Sequence, residues 1–343
     1  MDSLTQIVLG AAVGEAALGR KVGNKAMLWG AIAGTIPDLD VLSKIFVDNV
    51  TANELHRGFS HSILFSILAA PVLGWMISKI YQNKEADWKD WSKLMFLGLF
   101  THPILDAFTT WGTQLFWPFE YKVSFKNIFV VDPLYTIPFL IFVILAMFYK
   151  RIHPKRKKFN QLGLYISSIY MIITLGLKWY TYGIFQTNLE NQHISYKEIQ
   201  TKPTPLNSIL WTANIETEDS FLIAYYSLLE KEDIIVFSEF PKNHHLLGKM
   251  KNDPLIPRLI KLSEGWYTIE KNDNKLFFND LRFGQLGVGT EASRFVFSYE
   301  LFYDDNGILT AKERERNMED TTPLLKKLFS RVLGNKSQKK GLH

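Results

Sequence analysis

Residues 56–80 read HRGFSHSILFSILAAPVLGWMISKI. His56 and His61 stand five apart around Arg57, Gly58 and Ser60, and from Ser62 the chain turns almost wholly apolar through Ile80. That apolar run approaches the roughly 20 residues a helix needs to cross a bilayer. Imidazole and guanidinium groups are costly beside hydrocarbon, so a pair of histidines at the mouth of such a helix calls for a reason. The stretch reads as a membrane helix that carries a polar, metal-binding head.

Working outward, six stretches are apolar enough to be membrane segments: residues 4–19, 26–37, 62–80, 94–108, 134–149 and 162–182. The first two are short, and each carries a small-residue pair, Gly10/Gly14 and Gly30/Gly34, which lets two helices approach closely. Basic residues cluster at Arg20, Lys21 and Lys25, at Lys79, Lys84, Lys89 and Lys93, and at Lys150, Arg151 and residues 155–158. These are alternate loops of a six-segment chain, so the excess of positive charge on cytoplasmic loops places all three inside. Both termini and everything after about residue 186 are then expected outside. The start lacks the basic leader of a cleavable signal peptide, and Glu15 interrupts its apolar run.

Charge separates the halves. Residues 1–186 hold 18 Lys and Arg and 12 Asp and Glu, whereas residues 187–343 hold 21 and 22. From about residue 205, short runs such as SILWTANIE, SFLIAYYSLL, DIIVFSEF, GWYTIEK, KLFFNDLRF and RFVFSYELFY alternate with turn signals at residues 272–274 and 304–307. They predict a mainly antiparallel β domain, with a short helix near residues 254–262. The expected architecture is an α-helical membrane bundle of about six transmembrane or membrane-embedded helices, residues 1–186. A soluble, extracytoplasmic β-rich domain follows over residues 187–320, then a basic tail over residues 321–343. No basic motif with interleaved aromatics occurs, which argues against a nucleic-acid partner. The chain has no cysteine, which excludes disulfides, thiolate ligands and a thiol nucleophile.

Four polar clusters lie in or beside the apolar segments: Asp38 and Asp40 in PDLD, His56 and His61 in HRGFSH, His102 and Asp106 in HPILD, and Asp132 in VVDP. Imidazole and carboxylate together suit zinc, manganese or iron. His102 and Asp106, four apart, share a helix face. On the six-segment topology all seven donors fall at the outer surface, and their number points to two metal ions, with zinc foremost. Arg57, a planar fork that suits phosphate, is assigned with Ser62 to catalysis; Ser60 and Gln6 join Arg57 in substrate binding. Each cluster also has a plainer reading: PDLD as a helix end, His102 as a hydrogen-bonded core residue, Asp132 as a helix N-cap. Glu15 reads as interfacial.

The ordered set MDSLTQIVLGAAVGEAALGRKVGNKAMLWGAIAGTIPDLDV, HRGFSHS and THPILDAFTTWGT, over roughly residues 1–180, resembles the YdjM-like family of membrane-bound, metal-dependent hydrolases. The resemblance implies a prokaryotic inner or plasma membrane location and a polar signature of Asp38, Asp40, His56, His61, His102 and Asp106. Members often carry a histidine where this chain has Gln6. One is described as binding the repressor LexA, so a regulatory protein partner is also implied.

Together these readings give an integral membrane hydrolase in which a metal-activated water attacks a phosphoester or other ester of a lipid or envelope-linked substrate at the outer leaflet. The alternatives are a metal or ion transporter, whose path would need polar residues continuing to the cytoplasmic face, and a non-enzymatic membrane-associated regulator.

Overall fold

Asp2 opens the first helix by accepting a hydrogen bond from Thr5 N at 3.1 Å. This computed structural model describes residues 1–82, 85–231, 234–287, 294–314 and 321–335. Lys84 and the tail beyond residue 335 lie outside the described residues. Two compact units emerge. The helical unit holds Met1–Val47, Glu54–Leu177 and Pro205–Ser208; the other holds Asp48–Asn53, Lys178–Thr204 and the chain from Ile209.

In the helical unit α1 (Ser3–Val22) ends at Gly23, whose positive φ of 63° suits glycine, with Arg20 and Lys21 in its last turn. α2 (Asn24–Ala33) returns against it at the small residues. A Cβ on Gly10 would strike the carbonyl oxygen of Gly30, and one on Gly14 would lie 2.9 Å from Gly30 Cα. The two glycine pairs therefore set the helix approach. A 3-10 helix (Ile36–Ile45) follows, started by Pro37. α3 (Asn49–Leu55) lies across the boundary of the two units. Ser62 caps α4 (Ile63–Tyr81), and an Asp87–Asp90 capping box starts α5 (Trp88–Asp106). Asp132 and Pro133 start α6 (Pro133–Met147), and α7 (Pro154–Asn191) runs from the helical unit into the second one at Lys178.

The expected bundle of about six membrane helices is overturned. Among the described residues two helices, α4 and α7, are long and apolar enough to cross a membrane. The reason is length and charge. At 1.5 Å per residue, α2 with 10 residues and α6 with 15 cover about 15 and 22 Å, short of a hydrocarbon core of about 30 Å. α1 carries Glu15, Arg20 and Lys21, while α5 carries Lys89, Asp90, Lys93, His102 and Asp106, and each buries many of its residues within the unit. With six spans gone, the alternation of basic loops fixes no orientation. α4 and α7 differ from ordinary core helices in exposure: in each, only 22% of the apolar stretch is buried.

The second unit is antiparallel throughout. β1 (Glu198–Pro203), β2 (Leu210–Glu216), β3 (Ser220–Ser227) and β4 (Ser238–Pro241) form one meander; β5 (Tyr267–Asn272), β6 (Lys275–Gln285), β7 (Phe295–Tyr303) and β8 (Leu309–Glu313) form another. The β5–β6 pair closes at Asn272 opposite Lys275, leaving Asp273 and Asn274 at φ of 45° and 64°, the left-handed pair a tight hairpin demands. Phe221 and Ile223 of one sheet pack with Trp266, Leu281 and Phe295 on the side of the other. α8 (Leu255–Leu262) lays Ile256 and Leu259 onto the second sheet, and α9 (Thr321–Val332) sets Leu328 and Val332 against Leu210.

Candidate metal centre

Three local structures bring the donors together in the helical unit. The 3-10 helix started by Pro37 carries Asp38 and Asp40. The turn before α4, in which Arg57 adopts φ 60°, carries His56 and His61. The last turns of α5 carry His102 and Asp106, four apart on one face as their spacing requires.

Four atoms converge. His61 Nε2 lies 3.1 Å from His102 Nε2, 3.3 Å from Asp38 Oδ1 and 3.4 Å from Asp106 Oδ2. His102 Nε2 lies 3.4 Å from Asp38 Oδ1 and 3.5 Å from Asp106 Oδ2. All four lie within 4.8 Å of one another, and this cluster could hold a metal ion. The two histidines and Asp106 are fully buried, and the Asp38 side chain is 22% exposed.

The surrounding hydrogen bonds fix which ring nitrogens face inward. His102 Nδ1 donates to Gly34 O at 2.6 Å, which leaves Nε2 with a lone pair. His61 Nδ1 faces Ser60 Oγ at 3.0 Å and Asp40 Oδ2 at 3.2 Å. Asp106 Oδ2 is buried and accepts no well-formed hydrogen bond; Arg57 Nε stands 3.0 Å away but poorly aligned. Two imidazole lone pairs and two carboxylate oxygens thus crowd one point, an arrangement that repels itself unless a cation occupies it. A tetrahedron of ligands at the zinc distances of about 2.0–2.1 Å has edges of about 3.3 Å. Five of the six separations, 3.1–3.5 Å, lie near that figure, and the sixth, between Asp38 and Asp106, falls within 4.8 Å, so the four residues could hold a metal ion.

The electrostatics agree. Burial alone would raise the carboxyls of Asp38 and Asp40, but the imidazoles beside them prevail and hold both well below the usual carboxylate range. Burial likewise disfavours protonated His61, yet the carboxylates of Asp106, Asp38 and Asp40 outweigh it and push the imidazole up to about 10. Without a metal, protonated His61 faces these carboxylates, with Arg57 and the Met1 amine beside Asp106.

The remaining residues singled out in the sequence surround this point. Asp40 accepts from His56 Nδ1 at 2.8 Å, Arg57 N at 3.0 Å and Ser60 Oγ at 3.0 Å, tying the turn together. His56 stands outside the four-donor group, edge-on to Trp111 and 26% exposed. Burial lowers its pKa despite Asp40. Arg57 donates to Thr109 Oγ1 at 2.7 Å. Ser62 donates to Phe59 O at 2.7 Å and caps α4 by accepting from Phe65 N. Gln6 donates to Asp106 Oδ1 at 2.9 Å and to His102 O at 3.2 Å, and the Met1 amine also meets Asp106 Oδ1. Asp132 caps α6 and accepts from Tyr170 and Ser208 at 2.8 and 3.0 Å, apart from the cluster. Glu15, read as interfacial, is buried and paired with Arg156. Thr109, Trp111 and the Gly34 carbonyl were invisible to sequence reasoning, because an ordinary threonine, tryptophan or backbone oxygen carries no signal of what it will touch.

No curated protein and no solved structure matches this chain. The family described as YdjM inner membrane protein matches residues 1–184, the stretch that holds α1 to α6 and every donor of the cluster, and covers more than half of the 343 residues. The chain belongs to the YdjM inner membrane protein family.

Proposed function

We propose that the cluster is a hydrolytic metal centre acting on an ester or phosphoester, with Asp38, His61, His102 and Asp106 holding one divalent ion. The observation that carries this reading is the convergence of four electron-rich atoms within 4.8 Å of one another, with one donor, Asp38, reaching solvent. A bound divalent ion supplies a Lewis acid that makes water nucleophilic near neutral pH and polarises the substrate oxygen. Zinc suits the nitrogen and oxygen donors.

The chain's own residues supply the proton chemistry. His56 directs Nδ1 at Asp40, which leaves Nε2 as the basic nitrogen, and its lowered pKa keeps it neutral at pH 7. Asp40 holds that ring in place, so His56 accepts a proton from water and returns it to the leaving group. Arg57 stands beside Asp106 and balances its charge.

A second reading, a purely structural ion, is favoured by the number of donors, since four protein ligands close a tetrahedron. Metal content and turnover measured together on purified protein separate the two. Replacing His61 or His102 with alanine abolishes stoichiometric metal in both readings. His56→Ala keeps the metal and, for a hydrolytic centre, slows turnover on aryl ester or phosphoester probes by about 10²–10⁴. Unchanged turnover in His56→Ala sinks the role of His56. Absence of any turnover in the metal-loaded wild type leaves the structural ion.

A further inference from the structure

The surface bounding the open side of the metal centre is apolar where water would be expected. In the 3-10 helix Asp38 and Asp40 turn to the centre, while the residues between and after them turn out: Leu39 is 53% exposed, Leu42 51%, Ile45 73% and Phe46 83%. A second segment, residues 115–121, exposes Phe116 at 54%, Phe119 at 72% and Tyr121 at 71%. It is fastened to the start of α4: Ile63 N donates to Leu115 O at 3.0 Å, and Phe59 packs edge-on against both Phe65 and Trp117, at 5.4 and 4.9 Å. α4 then continues the same outward character with Ile67, Leu68 and Val72, all more than half exposed.

We propose that residues 36–46 and 115–121 form a collar immersed in the headgroup region of a bilayer, so that the centre draws an amphiphile from the membrane surface rather than a metabolite from water. Three observations favour lipid over other occupants. The apolar surface is continuous with a helix long enough to span, of which only 22% of the apolar stretch is buried. Phenylalanine, tryptophan and tyrosine gather at the end of that helix, where aromatic rings sit at a membrane–water boundary. The 3-10 segment is two-faced, acidic toward the centre and mainly aliphatic outward, with Lys44 among the exposed residues, the pattern of an element lying in the interface plane. Apolar patches beyond a few hundred Å² are rare on surfaces that face only water. His61 precedes α4 by two positions, which puts the centre at the same level as the collar. The immersion stands independently, whereas the amphiphile as substrate rests on the hydrolytic reading above.

The absence of cysteine makes the test direct. Full-length F46C and F119C proteins, nitroxide-labelled, are reconstituted in vesicles of phosphatidylethanolamine and phosphatidylglycerol, with I67C on α4 and D273C at the β5–β6 hairpin as references. Power-saturation EPR compares collisions with oxygen, which enriches in lipid, and with a water-soluble nickel chelate. The collar labels are expected to side with I67C. Siding with D273C overturns the collar, and so does shielding from both reagents, which would mean that a protein or a second copy covers the surface. The substrate is tested by hydrolysis of dioleoyl against dihexanoyl phosphatidylglycerol. The F46S/F119S pair should slow cleavage of the vesicle lipid at least about tenfold and leave the short-chain lipid unaffected. Equal effects on both, or on neither, overturn the amphiphile. If neither lipid is cleaved by the wild type, the proposal of an amphiphilic ester falls, while the EPR result still decides the collar.

Discussion

Removing the proton from His61 leaves its Nε2 lone pair facing Asp38, Asp106 and His102 at 3.1–3.4 Å, so the proton and a metal ion compete for the same place. The sign of the pH dependence follows. Asp38 and Asp40 are already ionised across the accessible range, whereas His61, raised to about 10, must deprotonate before it binds metal. Between pH 7 and 9 the apparent metal affinity should therefore rise about tenfold per pH unit, with about one proton released per ion. Titration calorimetry in buffers of different protonation enthalpy measures that proton; no release would contradict the arrangement. For the metal-free fold the sign is opposite. The raised imidazole contributes stability that is complete below its ordinary value of 6.5 and is lost as pH rises through about 10. Charged and polar residues in apolar surroundings are costly, which marked out all seven donors, but Asp132 instead caps α6 away from the cluster. The division of the other six was not legible. Asp38 and Asp40 are two apart on one 3-10 turn, and which reaches the point and which ties His56 depends on packing among segments far apart in sequence.

At the scale of elements, the approach of α1 to α2 holds the centre's frame. Gly34 supplies the carbonyl that orients His102, and Gln6 on α1 holds Asp106. Because the atoms facing Gly30 are the backbone of Gly10 and Gly14, a side chain there cannot be absorbed by a rotamer change. Gly30→Leu should destabilise the helical unit by at least about 1–3 kcal/mol and weaken metal retention with it. Thermal unfolding with parallel metal analysis checks this; a wild-type melting temperature would show that the helices can part without cost. This contact was legible from small-residue spacing alone. So were β2, β3, β5, β6 and β7, rich in β-branched and aromatic residues, and the short helix α8; of the run DIIVFSEF only the end, from Ser238, enters a strand, β4. β1 and β8 were not legible as strands. Both are sheet edges with polar sequences, EIQTKP and LTAKE, and edges are where charge and proline are tolerated.

For the whole molecule, apolar composition overstated the number of membrane spans. Residues 4–19, 26–37 and 94–108 place much, though not all, of their apolar surface in the interior of a helical unit around a polar centre, and hydropathy alone does not tell that interior from lipid. Exposure tells them apart: Leu94, Leu99, Ala26 and Ala33 are buried, while Ile67, Val72, Ile169 and Ile172 face outward. The β content of the second half could be read because alternation and turn residues act locally, whereas the division of the chain depended on an insertion, Asp48–Asn53, that joins the second unit. Since every donor lies in the helical unit, metal should stabilise that unit alone. At a free metal concentration 1,000 times the dissociation constant, binding adds about 4 kcal/mol. A chelator should thus lower the helical transition in calorimetry and leave the β transition in place; a uniform shift of both would contradict the assignment.

Whether Asp38, His61, His102 and Asp106 hold one divalent ion, as proposed, is decided by X-ray absorption spectroscopy on the purified, metal-analysed protein. About one ion per chain is expected, bound by nitrogen and oxygen at about 2.0–2.1 Å with imidazole scattering, and it should be lost when His61 and His102 are both replaced by alanine. A protein without stoichiometric metal, or a double variant with an unchanged spectrum, would contradict the proposal.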